Sequence, residues 1–146
     1  EQRRTRDMVC SLLCSILLPS LPQSVGVARS ATRVALHGTC DPDTLESAMV
    51  VASELASNSV RYAGKVTPAP DAVHLVSRFS LSVFITSGGS IRLELDEIAG
   101  QTIPEIIKPD DSSLNGRGLY MVDQLTSGQW GWGDYGGIRR IWATIG

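Results

Sequence analysis

The sequence predicts an α+β fold: a two-layer α/β sandwich with helices on one face of a mixed sheet. Three observations predict it. Two early stretches, Ser24 to His37 and Asp41 to about Tyr62, place apolar residues at helical spacing. The block from Val73 to Leu95 alternates apolar and polar residues around Ser87-Gly88-Gly89-Ser90, a hairpin signal. A second hairpin pattern closes the chain around Asp134-Tyr135-Gly136-Gly137. At 146 residues a single domain can bury a proper core, and residues 13–146 are assigned to it, with residues 1–12 as an N-terminal arm. With 42% hydrophobic and 19% charged residues the composition excludes wholesale disorder. A net charge of -2 gives no basic face of the kind nucleic-acid binders show.

At the N-terminus, Arg3, Arg4 and Arg6 precede the apolar run Met8 to Leu18, an arrangement similar to a signal peptide. The run is too short to span a bilayer, so no membrane partner is expected. Pro19-Ser20-Leu21-Pro22 follows in place of a small-residue cleavage site, and the reading preferred is a core strand over Leu13 to Leu18. After the break at Pro19 to Gln23, the first helix has Ser24 as its expected N-cap and Gly38 as its expected C-cap. Asp41-Pro42-Asp43-Thr44 opens the second helix, whose stripe runs through Leu45, Ala48, Met49, Ala52, Leu55, Ala56 and Val60. Gly64 to Asp71 reads as a loop. Phe79, Leu81, Val83 and Ile85 mark one strand. Ile91, Leu93 and Leu95 alternate with Arg92, Glu94 and Asp96 on the returning one, which delivers Asp96 and Glu97 to its C-terminal end. Ala99 to Asn115 is polar and Pro-bearing, with a short helix expected around Glu105 to Lys108; a connection of that length reads as a functional lid. Gly118 to Leu125 reads as a helix, and Gln129 to Trp132 with Ile138 to Ile145 as the closing hairpin. Trp130, Trp132 and Trp142 are assigned to core and cross-strand packing rather than base stacking.

The three cysteines, Cys10, Cys14 and Cys40, form no paired framework, which fits a reducing compartment. With His37 and His74 the only imidazoles, they make no zinc set, and both histidines read as structural or exposed. The chemistry concentrates elsewhere. Glu54 and Asn58, at i and i+4, share one helix face, where a carboxylate can polarise a hydroxyl or water and an amide can hold a metal. Asn115-Gly116-Arg117-Gly118-Leu119 is a glycine-rich turn opening a helix, a place where backbone N–H groups can approach phosphate. Together these imply a nucleotide, a divalent metal and a base in one site.

In their order, Glu54-x-x-x-Asn58, Asp96 after a strand, and Gly116-Arg117-Gly118-Leu119 resemble the motifs of the GHKL ATPases, whose nucleotide site is the Bergerat (histidine-kinase-like ATPase) fold. The subgroup the chain looks like is the small single-domain anti-sigma-factor serine/threonine kinases of actinobacterial type. Val27-Ala28-Arg29, the run Glu54 to Ala63, Arg117 to Asp123, and Arg140-Ile141-Trp142-Ala143 support this across residues 13–145. The family's middle motif reads Asp-x-Gly, whereas this chain has Asp96-Glu97-Ile98-Ala99-Gly100, with Gly100 as the candidate glycine.

The resemblance implies ATP and Mg²⁺ as cofactors. Glu54 would be the general base toward a serine or threonine hydroxyl, and Asn58 the Mg²⁺ ligand. Asp96 would accept from the exocyclic amine of adenine. Gly100, Gly116, Arg117, Gly118 and Leu119 would complete the nucleotide site. By the same resemblance the protein is cytoplasmic and homodimeric. It would phosphorylate an anti-sigma-factor antagonist of the STAS type and bind a sigma factor. The alternative is a non-catalytic module in which ATP gates partner binding, motivated by the altered glycine after Asp96.

Overall fold

The computed structural model describes residues 9–65, 77–98 and 116–146; of residues 64, 65 and 116–118 only the backbone is described. Five strands and three helices follow the order β1 (Cys10–Pro19), α1 (Gln23–Leu36), α2 (Pro42–Lys65), β2 (Arg78–Thr86), β3 (Ile91–Ile98), α3 (Gly116–Thr126), β4 (Trp130–Tyr135) and β5 (Ile138–Ile145). The strands form one sheet in the order β1-β2-β3-β5-β4.

The expected sandwich is the architecture found, but every described pairing in the sheet is antiparallel, where a mixed sheet was expected. The reason lies in one insertion. β3 and β4 both run antiparallel to β5 and so point the same way. β5 sits between them, and the parallel contact they would otherwise make does not form.

Local sequence explains most boundaries. The apolar run near the N-terminus is a strand, and it begins at Cys10, so residues 10–12 belong to the sheet rather than to the arm. α1 starts one residue before Ser24, with Pro22 at the N-cap position and no side-chain cap; Ser24 is instead buried inside the first turn. Gly38 follows the helix end at φ 75°, the left-handed conformation expected just past a C-cap. α2 begins on a capped turn: Asp41 Oδ1 accepts from the Thr44 backbone N–H at 2.7 Å, and Pro42 occupies the first helical position. The final hairpin turns through Gly136 and Gly137, both at positive φ, the geometry a two-residue primed turn requires.

The core lies between the helices and one face of the sheet. Ala48, Val51, Ala52, Leu55 and Ala56 from α2 meet Phe79, Leu81 and Val83 from β2, Ile91, Leu93 and Leu95 from β3, and Ile141, Ala143 and Ile145 from β5. Val122 from α3 joins them. The Trp130 indole N–H donates to Asp123 Oδ1 at 2.9 Å, tying α3 to β4. Trp130 and Trp132 pack against the core as expected. Trp142 lies on the opposite face of the sheet, with the Arg92 guanidinium 4.8 Å from its ring centre. Among the described residues no helix is long and apolar enough to cross a membrane.

Candidate functional site

Three elements change character at the same end of the sandwich. The buried stripe of α2 is apolar from Ala48 through Ala56, then continues as Asn58 and Ser59, each 2% exposed, with Tyr62 one turn on. The inward side of β3 reads Ile91, Leu93, Leu95, then Glu97. The inward side of β5, followed backwards, reads Ile145, Ala143, Ile141, then Arg139. The sheet register sets Glu97 directly opposite Arg139, one inward step beyond the pair Leu95 and Ile141. The hydrophobic core therefore ends in a layer of polar side chains contributed by β3, β5 and the C-terminal half of α2.

Charge in this layer is held without full compensation. Arg139 Nη1 lies 3.8 Å from Glu97 Oε2, an ion pair without hydrogen-bond contact, and both residues are almost wholly buried. The Arg139 guanidinium stands 4.5 Å from the ring centre of Tyr62 and 5.8 Å from that of Trp132. Burial pushes the Glu97 carboxyl up to about 7, opposed by Arg139 and by the Ser59 hydroxyl. Ser59 is near enough to favour the anion, yet neither carboxylate oxygen has a partner in full hydrogen-bond geometry. Burial, and then the Glu97 charge, also raise the Tyr62 phenol. Asn58 Nδ2, the Tyr62 hydroxyl, both Glu97 oxygens, and Arg139 Nε and Nη1 are all buried without a hydrogen-bond partner. Among the described residues these are the buried side-chain polar atoms in that condition, and they come from one place.

Of the residues expected at the site, Asn58 is in this layer, and Glu54 lies one turn earlier on α2, half-buried. Asp96 is not. It shares the outward side of β3 with Arg92 and Glu94, where it accepts from Arg140 Nε at 2.7 Å and from Arg140 Nη2 at 3.0 Å. These bonds hold the Arg140 guanidinium firmly charged. The expectation for Asp96 is corrected by strand parity: successive side chains leave a strand on opposite faces, so a residue flanked by two inward positions cannot face the helices. The inward carboxylate is Glu97, and its signal was in the sequence, two positions after Leu95 in the series Ile91, Leu93, Leu95.

Gly116, Arg117 and Gly118 form the first turn of α3, two residues earlier than the helix start expected, and the helix packs against α2 and β5. The first backbone N–H groups of that turn have no partner within the helix, as at any helix start. Leu119 is buried on the core side, so it acts through packing. Gly100 and the expected lid lie outside the described residues. Among the described residues no three His, Cys, Asp or Glu side chains cluster together, so a metal here would rest on Asn58, ligand groups and water. The buried Asn58 amide, with a free Nδ2, fits that use after an ordinary amide rotation that presents its oxygen.

Solved structures share this fold. The chain is similar to a chain in the crystal structure of the RsbU and RsbW domains of Rv1364c from Mycobacterium tuberculosis, with a TM-score of 0.62 and 16% identity, covering 90% of this chain and 31% of that one. It is also similar to a chain in the crystal structure of the SiaB-SiaC complex from Pseudomonas aeruginosa, with a TM-score of 0.66 and 14% identity, covering 99% of this chain and 94% of that one. This chain thus spans 31% of the length of the first and nearly all of the second. Both likenesses agree with the two-layer α/β fold expected from the sequence. No family model and no curated protein matches the sequence.

Proposed function

We propose that this protein is a cytoplasmic, ATP-binding regulator of the anti-sigma-factor kinase type. The observation that carries the reading is the polar layer at one end of the core, where Asn58, Ser59, Tyr62, Glu97 and Arg139 converge beneath the C-terminal half of α2 in a fold shared with a structure of RsbU and RsbW domains and with a SiaB–SiaC structure. In this reading Asn58 holds Mg²⁺ through its amide oxygen. The backbone of Gly116 and Gly118, with Arg117 beside it, meets the phosphates at the start of α3, where the helix dipole favours negative charge. A magnesium ion held there would supply positive charge to offset that of the phosphates. Glu54 accepts the proton of a serine or threonine hydroxyl as it attacks the γ-phosphate. Glu97, in place of Asp96, supplies the carboxylate that faces the base.

The substrate is then a hydroxyl on an anti-sigma-factor antagonist, and a sigma factor is the second partner; the two-protein SiaB–SiaC structure supports a partner-binding role. A homodimer is part of the proposal. The uncharged edge strand β1, with Leu12, Leu13 and Leu17 exposed, supports it, since such an edge otherwise invites uncontrolled pairing.

The test is calorimetric titration of ATP with and without Mg²⁺, followed by γ-phosphate transfer to a candidate antagonist with wild type and Glu54→Ala. Magnesium-dependent binding, with transfer lost by roughly a hundredfold or more in the variant while binding survives, is the expected result. Binding without transfer by the wild type selects the ATP-gated module instead. No nucleotide binding under any condition ends both readings.

A further inference from the structure

The nucleotide reading gives Asn58 and Glu97 a role and leaves Arg139, the buried cation opposite Glu97, without one. None of the residues that the family resemblance assigns to the nucleotide site lies on β5. Yet Arg139 is 3% exposed, and its Nε and Nη1 have no acceptor. A guanidinium stays charged and only donates, so its buried donors call for a partner.

The sheet itself supplies the comparison that shows this arginine is not a simple ion-pair partner. β3 and β5 set two acid–arginine pairs in consecutive register: Asp96 opposite Arg140, and Glu97 opposite Arg139. On the outward face Arg140 closes onto Asp96 with two hydrogen bonds, at 2.7 and 3.0 Å. On the inward face Arg139 Nη1 stays 3.8 Å from Glu97 Oε2, beyond hydrogen-bond reach. The Tyr62 ring from α2, with its centre 4.5 Å from the guanidinium, and the Trp132 ring from β4, at 5.8 Å, flank the cation there. An acceptor and a donor thus stand side by side without satisfying each other.

We propose that Arg139 is a specificity-determining residue of the nucleotide site, donating a hydrogen bond directly to the ring nitrogen N1 of adenine. The proposal rests on the nucleotide reading above, which already turns the carboxylate toward the base; it adds a separate contact from a different strand. The exposed edge of adenine sets the N6–H₂ donor beside N1, whose lone pair requires a donor. An ionised Glu97 has none to give. The other donors in the layer are Asn58 Nδ2 and the hydroxyls of Ser59 and Tyr62. Arg139 is preferred because the sheet register sets it next to Glu97, so neighbouring positions on one base edge can be met together. Its charge makes such a bond roughly twice as strong as a neutral one. The flanking rings fix the guanidinium before the base arrives, so less freedom is lost on binding. Phosphate does not suit this position, since an anion that answers Arg139 is repelled by Glu97.

The probe is 1-deaza-ATP, in which C–H replaces N1 while the exocyclic amine, ribose and triphosphate are unchanged. Both nucleotides are titrated calorimetrically into the intact protein at one Mg²⁺ concentration and at about pH 8.5, above the Glu97 titration at about 7, so that this carboxylate has no proton to donate. Wild type should bind ATP about tenfold or more tightly than the analogue, which leaves a buried cation facing C–H. Glu97→Met/Arg139→Met replaces the pair with apolar chains and leaves no lone charge behind. Its preference should fall to within about twofold of none. Ser59→Ala and Tyr62→Phe remove the competing hydroxyls singly, and each should keep the wild-type ratio, whatever affinity it loses for both nucleotides alike. These two variants and the wild type carry the test even where the double variant does not fold. A wild type that binds ATP and the analogue equally overturns this inference and leaves the nucleotide reading standing. A preference that survives in the double variant, or that is lost in Ser59→Ala or Tyr62→Phe, overturns it as well. Failure of the wild type to bind either nucleotide overturns both.

Discussion

Replacing Glu97 by glutamine removes a titrating charge from the buried layer while keeping shape and hydrogen-bonding capacity, so it isolates what that charge costs the fold. The folded carboxyl titrates at about 7 against an ordinary 4.5. Between these values the folded chain holds a proton that the unfolded chain has released. Stability therefore falls as pH rises through the window, and the loss is complete above the folded value. A gap of that size at about 1.4 kcal/mol per pH unit comes to roughly 3 kcal/mol. Glu97→Gln lacks this titration. Near pH 5 the two proteins should agree to within about 1 kcal/mol, and near pH 8 the variant should be the more stable by up to about 3 kcal/mol. Urea unfolding followed by the fluorescence of Trp130, Trp132 and Trp142 reads this difference directly. Carboxylates elsewhere act in both proteins and cancel. Asp41, for example, is lowered by hydrogen bonds from Thr44 and so loses its contribution as pH falls. A difference between the two proteins that does not change with pH, or a variant less stable at pH 8, would refute the reasoning that Arg139 leaves Glu97 under-compensated.

Other outcomes follow from the same geometry. Tyr62→Phe deletes a buried hydroxyl that has no partner, and urea melts of the free protein should show it neutral or stabilised by about 1 kcal/mol. Asp96→Asn loses the charge from a half-exposed two-point contact with Arg140, and should cost about 1 kcal/mol or less. Gly131→Ala places a Cβ 2.8 Å from the Trp142 ring, which is itself held beneath Arg92, so thermal melts should show about 1–3 kcal/mol of destabilisation.

Much of this fold is legible in residue spacing. The helical stripe from Leu45 to Val60 and the alternation of Phe79, Leu81 and Val83 give α2 and β2 because burial rewards the correct period and penalises the other. Gly136 and Gly137 mark the last hairpin because their positive φ angles cost other residues more. Sheet direction is less legible. The β4–β5 hairpin is local, but nothing near β5 says that its other edge pairs with β3; the pairing of Leu95 with Ile141 does so, and that contact joins distant parts of the chain. Ser24 shows a different limit, since the intrinsic preference of serine for a helix cap yields to burial within the first turn.

The site was partly legible, and the part misplaced is instructive. Asn58 is reached by spacing on α2, and it lies in the polar layer. Asp96 was reached by its resemblance to a motif acid, although its own alternation with Leu95 assigned it to the far face. Parity is the stronger guide because it is a property of the backbone, whereas a motif can slip by one residue along a strand. Applied to β3 and β5 together, it finds Glu97 and Arg139 as the first charged residues in two otherwise apolar inward series. That coincidence is costly to the fold. A buried polar atom without a partner costs about 1–3 kcal/mol, and several such atoms meet in this layer. The layer would be cheaper filled with leucine and valine, as the rest of the core is. A group that brings matching donors and acceptors would recover that cost on binding, so the atoms that weaken the free protein are those best placed to hold a ligand.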